Sequence, residues 1–371
     1  MEASERTALF SLIAGREAAD GDAYPFESIK ALQHEGLIRS PLPAALGGSG
    51  VTLPEAVALV EALAMASPSV ALIASMPIGL AGVYAVPADA VPETHRTAWR
   101  DQVDRVAAAF RAGEHYAACN SEAGAGGSLA ATKAVAERDA EGVFRISGTK
   151  ILASGGRFAD HFFSTAKVRP EDVPGGGVVE FFLVPTGARG VEILEDWDGF
   201  GMRSTESQTV RYENAPASEM MGFPNFIEVV QPMQYWFCLF AAIPLGCAAS
   251  ILHTLASPAP ASPALRMRFS EATMRYEALR AYLMETSGGW TPGSSPAWRA
   301  KVLRTKSYVT QEATKLAAEL FALSGGRHYR RTGSVARALA DSFAGTALRP
   351  PLPLALDTLV ESFSLGALED A

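Results

Sequence analysis

Residues 120–128 read NSEAGAGGS and residues 143–156 read VFRISGTKILASGG, and the way the second follows the first decides the fold. Small residues packed around one glutamate suggest a phosphate cradle. Such a cradle follows a buried strand and opens a helix, because the helix N-terminus supplies the amides that bind the anion. Here the downstream pattern is strand. Val135, Glu137, Val143, Arg145 and Ile146 fall on period-two runs, and residues 139–142 and the pair Ser147-Gly148 punctuate them as hairpin turns do. The loop therefore belongs to a β unit, and a dinucleotide-binding turn is not expected.

Outward from this point the periodicity divides the chain into three domains: helical over 1–115, β over 116–222 and a helical bundle over 223–371. In the first, residues 28–34 form a short amphipathic piece, and LPEAVALVEALAMA follows Thr52 as a plausible cap. In the second, FFSTAKV, VVEFFLV, GVEILED and QTVRYEN alternate or run apolar over strand lengths. Helix spacing returns after Pro224, over 235–255, 265–284, 297–323 and 353–365. SPAPASP (257–263) and SGGWTPGSSP (287–296) are linkers, too rich in Pro, Gly and Ser to continue a helix.

The chain has 371 residues and a net charge of -8, from 40 acidic and 32 basic side chains. Its basic residues are scattered, so no nucleic-acid partner is expected. Cys119, Cys238 and Cys247 are too few and too far apart for a disulfide framework or a zinc site, and no metal is expected. Two uncharged runs, 62–88 and 235–252, reach membrane-spanning length. Internal prolines in both, and no basic flank on the second, mark them as buried core helices, so no membrane partner and a cytoplasmic location are expected.

Five phrases in order resemble the acyl-CoA dehydrogenase family of flavoproteins: EGLIRSPLPAALGGSG (35–50), ACNSEAGAGGS (118–128), GTKILASGGRFAD (148–160), GFGMRSTESQTVRYENAPAS (199–218) and LSGGRHYRRTGSVARALADS (323–342). The resemblance implies a mainly α fold: an N-terminal helical domain, a central β-barrel-like domain and a C-terminal four-helix bundle. It implies bound FAD, a homodimer or homotetramer, and a small acyl substrate, CoA-linked or free.

By the same resemblance the opening loop is a cofactor wall, where missing side chains let backbone amides come close. Ser121 stands where the family has a threonine that hydrogen-bonds the isoalloxazine. Gly126, Gly127 and Ser128 continue the loop. Leu152 and Ser154 occupy the tryptophan and threonine places beside the ring; Leu152 can cover a flavin face but cannot stack on it. Arg266, with Arg268 beside it, is the nearest counterpart of the arginine that reaches a neighbouring subunit's FAD, and Gly325-Gly326 match the loop used against that FAD. Trp236, Phe237 and Phe240 lie on the helix that in the family faces the acyl pocket, which predicts a shallow cavity.

Desaturating an acyl thioester requires a carboxylate to take the α-proton, worth roughly 10² to 10⁴ in rate. The family's glutamate place, counted from Asp341, falls here on Arg349, and the alternative place on the first long helix of the bundle has no acid closer than Glu228. Asp357 and Glu361 are the acids that follow, and His115 and His328 are the histidines nearest the matched phrases. An arginine in the pocket favours an anionic substrate or a negative intermediate. Two enzymatic readings follow: an FAD-dependent dehydrogenase of a CH–CH donor with an atypical base, and a flavin-dependent monooxygenase that binds reduced flavin and needs no glutamate. A non-catalytic family member is the third.

Overall fold

The structure, a computed structural model, describes residues 3–361. Five helices come first: α1 (Ala3–Asp20), α2 (Phe26–His34), α3 (Leu53–Ala66), α4 (Pro68–Tyr84) and α5 (Arg96–Ala112). Helix α3 begins where its cap predicts, because the Glu55 carboxylate accepts from both the Thr52 backbone N–H (2.7 Å) and the Thr52 hydroxyl (2.8 Å). Helix α4 follows at once, with the Ser67 hydroxyl accepting from Val70 N–H at 3.2 Å, and every one of its residues is buried.

Eight strands follow: β1 (Tyr116–Ala118), β2 (Val135–Arg138), β3 (Phe144–Ala153), β4 (His161–Lys167), β5 (Val179–Pro185), β6 (Val191–Ile193), β7 (Gln208–Pro216) and β8 (Glu219–Met220). They form one sheet in the order β6-β7-β3-β2-β4-β5-β8, with β1 parallel to β4, curled into a half-barrel. The β2–β3 hairpin closes at Asp139. One of its carboxylate oxygens accepts from Glu141 and Val143 N–H, and the other from Arg145 Nε at 2.8 Å, which is why residues 139–142 turn the chain. Phe144, Ile146, Phe162, Phe182 and Tyr212 make a small core of their own within the sheet.

The chain then returns to helix: α6 (Phe226–Val230), α7 (Met233–Ala256), α8 (Pro263–Ser287), α9 (Pro296–Leu323), α10 (Ser334–Ser342), α11 (Ala344–Ala347) and α12 (Leu352–Glu361). Helix α7 is the axis of the molecule and packs on α3, α4, α8, α9 and α10. By length and hydropathy α7 could cross a membrane, but most of it is buried inside the protein, the ordinary state of an all-round apolar helix in a large core. Two glycines let the helices approach. A Cβ on Gly79 of α4 would fall 2.1 Å from Trp236 Nε1, and one on Gly246 of α7 would fall 2.5 Å from the Glu61 carbonyl oxygen. The architecture is thus mainly α with a central curled sheet, as the sequence implies.

Candidate functional site

A cavity of about 280 Å³ opens where the sheet meets α4, α7 and the α10–α11 segment. Its wall on the sheet side is built by the opening loop and the end of β3. The Ile151 N–H donates to Ser121 O at 2.8 Å, pinning the loop to the strand so that Asn120 and Ser121 face inward. At the end of β3 the register with β7 slips between Lys150 and Ala153, and Leu152 takes a left-handed φ of 60°. A branched side chain adopts that conformation only where its surroundings hold it there. The slip turns both Leu152 and Ser154 to the cavity, leaving the leucine 46% exposed.

Behind this wall lies a buried ion pair. Lys150 Nζ donates to Glu122 Oε1 and to Thr165 O, each at 2.6 Å. The other Glu122 oxygen accepts from Lys133 N–H at 2.6 Å, and Oε1 also accepts from Ala134 N–H at 3.1 Å. Burial raises the Glu122 pKa, but the Lys150 ammonium and these amides outweigh it and hold the carboxyl below its ordinary range. Glu122, fully occupied, fixes the loop and is not a free base.

The opposite wall is apolar: Leu72 and Met76 from α4, Met233, Trp236 and Phe240 from α7, and Phe163 and Phe181 from β4 and β5. Trp236 stacks on Phe163 at 5.3 Å between ring centroids, and its indole N–H donates to Met76 O at 3.1 Å. Phe237 is a correction to the expected pocket. One residue past Trp236, it is rotated about 100° around the helix, and it packs half-buried against the main core without lining the cavity. Trp236 and Phe240, four apart, share the inward face.

The third wall is the segment after α10. Arg349 reaches in and donates through Nη2 to Asn120 O at 3.2 Å. Its Nε and Nη1, and the nearby Asn120 Oδ1, are buried without a hydrogen-bond partner. Burial pushes the Arg349 pKa down to about 10, opposed by the charge of Glu122, so the guanidinium stays charged at neutral pH. The segment is held from behind by Lys306 of α9, whose Nζ donates to Leu348 O and Pro350 O at 2.7 Å each. Among the described residues lining the cavity, Arg349 is the one charged side chain and there is no carboxylate.

The remaining candidates fall elsewhere. Asp357 and Glu228 are exposed, and the Glu361 side chain lies outside the described residues. His115 is buried with both ring nitrogens unpartnered and its pKa pushed by burial to about 4, and it does not line the cavity; His328 is partly exposed beside Arg327. Gly126 and Ser128 do not line the cavity. Gly127 passes under the C-terminal turn, where a Cβ would fall 2.4 Å from Pro351 Cδ. Arg266 is exposed at the start of α8 and donates to Pro260 O and Ala261 O. Gly325 and Gly326 are exposed too, and neither they nor Arg266 belong to the cavity of a single chain.

Asn120, Phe163, Trp197 and Ser207 also line the cavity, and sequence reasoning assigned them no role. Ser207 sits inside a phrase that was matched, GFGMRSTESQ, but nothing local says which of its hydroxyls turns inward.

An apolar slot edged by Ser121, Ser154, Asn120 and Arg349 suits a flat heterocycle with polar edges, which is what a flavin is. The comparisons agree. Models of the acyl-CoA dehydrogenase N-terminal and middle domains match residues 12–99 and 117–215. A probable acyl-CoA dehydrogenase, YngJ of Bacillus subtilis, is 23% identical over 86% of this chain and 84% of its own. L-evernosamine nitrososynthase of a Micromonospora species is 32% identical over 54% of this chain and 46% of its own. The solved structure of KijD3 in complex with FMN and a dTDP-linked amino keto sugar superposes with a TM-score of 0.83 at 21% identity, covering 97% of this chain and 92% of that one. With both domain models in order along the chain and the fold matched across nearly all of it, the protein belongs to the acyl-CoA dehydrogenase-like superfamily of flavin-dependent oxidoreductases.

Proposed function

We propose that the protein is a flavin-dependent monooxygenase, acting on a small, largely apolar substrate with an electron-rich nitrogen or sulfur and one anionic or carbonyl oxygen. The observation that carries this reading is the charge in the cavity. At the place of the family's glutamate the cavity holds the Arg349 guanidinium, and none of the described lining residues is a carboxylate. Abstraction of an α-proton lacks its base, whereas oxygen insertion at a heteroatom requires none.

Reduced flavin supplies the two electrons with which one atom of dioxygen enters the substrate and the other leaves as water. The chain's own residues do the rest. Ser121, Leu152 and Ser154 hold and cover the ring. Arg349 sets a fixed positive charge in the cavity wall, which attracts the substrate's oxygen and orients it. Trp236 and Phe240 close the far end and keep water out. Similarity to a nitrososynthase over half of the chain supports oxygen transfer to nitrogen. Arg266 and the Gly325-Gly326 loop remain proposed contacts to the flavin of a second subunit in a homo-oligomer.

The test is to supply purified protein with reduced FAD or FMN and ¹⁸O₂, screen primary amines and thioethers, and detect labelled product by mass spectrometry. Labelled N- or S-oxygenated product is the expected outcome. Anaerobic bleaching of bound oxidised FAD by acyl-CoA thioesters, without labelled product, would instead establish the dehydrogenase.

A further inference from the structure

Three hydroxyls run in a line from the cavity into the protein. Ser154 Oγ lies 2.8 Å from Ser207 Oγ, which lies 2.6 Å from Thr205 Oγ1, which donates to the Met202 carbonyl oxygen at 2.8 Å. All three are buried, Thr205 completely, and Ser154 and Ser207 line the cavity. The chain path fixes the row. Met202 and Glu206 both take left-handed φ values, 53° and 48°, turning the intervening segment inward, and Gly155 N–H donates to Thr205 O at 2.7 Å, locking the two loops together.

A hydroxyl has one proton to give and two lone pairs to receive with. The Met202 carbonyl can only accept, so when the Thr205 proton is there, Ser207 must donate to Thr205 and Ser154 must donate to Ser207. That direction uses all three protons. Ser154 Oγ is then left with lone pairs, and no proton, for the cavity. Turning the row around to donate into the cavity gives up the bond to Met202 O. Neighbouring bonds in such a row also polarise one another in one sense.

We propose that this row makes Ser154 an obligate acceptor and thereby selects the reduced flavin. The inference rests on the reading that the cavity takes a flavin. The unsubstituted central-ring nitrogen of an oxidised flavin, N5, is an acceptor, and two-electron reduction places a proton on it. An acceptor wall gains a hydrogen bond from the reduced ring and meets the oxidised one lone pair to lone pair. The polarity of the wall, set three hydrogen bonds away at Met202, thus decides which redox state binds.

One net hydrogen bond corresponds to about a three- to tenfold difference in affinity. Anaerobic titrations with oxidised and dithionite-reduced FAD and FMN, followed by quenching of Trp197 and Trp236 fluorescence, give the ratio of the two dissociation constants. Wild type is expected to favour the reduced form by at least that factor. Ser207→Ala, which frees the Ser154 proton, and Thr205→Val, which removes the anchor, are expected to bring the ratio toward one, mainly by tighter binding of oxidised flavin. Thr205→Ser keeps the hydroxyl and is expected to retain the wild-type ratio. Equal affinities in wild type, or a preference unchanged in Ser207→Ala and Thr205→Val, would overturn the inference and leave the flavin site standing. Binding of neither redox form would overturn both.

Discussion

Arg349 carries a charge into an apolar cavity with two of its three nitrogens unpartnered, a costly arrangement for the protein alone. Stability and function therefore separate at this residue. Arg349→Met is expected to keep or raise the melting temperature, because it removes an unpaired buried charge. It is expected to lower kcat/KM for oxygen transfer by about 10², the scale for deleting one partner of a buried charged hydrogen bond. Arg349→Lys, which keeps the charge without the planar guanidinium, is expected between the two; thermal melts with steady-state kinetics check both. Trp236 limits the cavity in the other direction. Trp236→Gly removes a ring stacked on Phe163 and pressed on Gly79, so substrates with longer apolar groups are expected to be accepted. The cost in stability is about 3–5 kcal/mol, read by denaturant unfolding, and an unchanged substrate range would show that the ring does not bound the site.

At the scale of elements, α9 holds the segment that carries Arg349 through Lys306, buried with two carbonyl partners and, among the described residues, no carboxylate. Burial pushes its pKa down from 10.5 to about 7. Between those values the unfolded chain binds a proton that the folded chain does not, so stability rises with pH across the interval, and below pH 7 the burial penalty is carried in full. The melting temperature of wild type relative to Lys306→Met is therefore expected to rise between pH 7 and pH 10. A pH-independent difference would place the charge of Lys306 outside the balance. The sequence PAWRAKVLRTKSYV announces a helix but gives no sign that this lysine, among others, points inward, since helical spacing fixes a face only relative to neighbours that are distant in the chain.

Across the whole molecule, charged groups tie together segments that are far apart in the chain. Arg337 of α10 pairs with Glu17 of α1 at 2.7 Å and with Asp22 at 3.1 Å, and Arg203 from the sheet side pairs with Asp22 at 2.8 Å. Asp341 accepts from the Met202 N–H at 2.5 Å, tying the bundle to the segment that orients the hydroxyl row. Helix α8 meanwhile leaves Met267 62% and Met274 61% exposed. Seven residues apart, they share one stripe of the helix, as an association face requires. Light scattering is expected to give a multiple of the chain mass for wild type and a smaller species for a Met267→Asp/Met274→Asp double variant; a monomeric wild type would leave Arg266 and Gly325-Gly326 without a second flavin to meet.

What the sequence determined by itself was local: the order of helices and strands, the Asp139 hairpin, the Thr52 cap, the glycine-rich loop as part of a β unit, and the family through phrases a few residues long. A count along one segment also sets Arg349 at the family's glutamate place, as a reading of the resemblance. Only the tertiary structure decided what those segments build. Arg349 meets Asn120 across 229 positions of chain, Gly79 admits Trp236 from another helix, and Phe237 turns from the cavity that its neighbour Trp236 lines. Period and punctuation arise from interactions between residues a few positions apart. A cavity wall, the burial of a lysine and the direction of a hydroxyl row arise from packing between elements, for which no local pattern carries the signal.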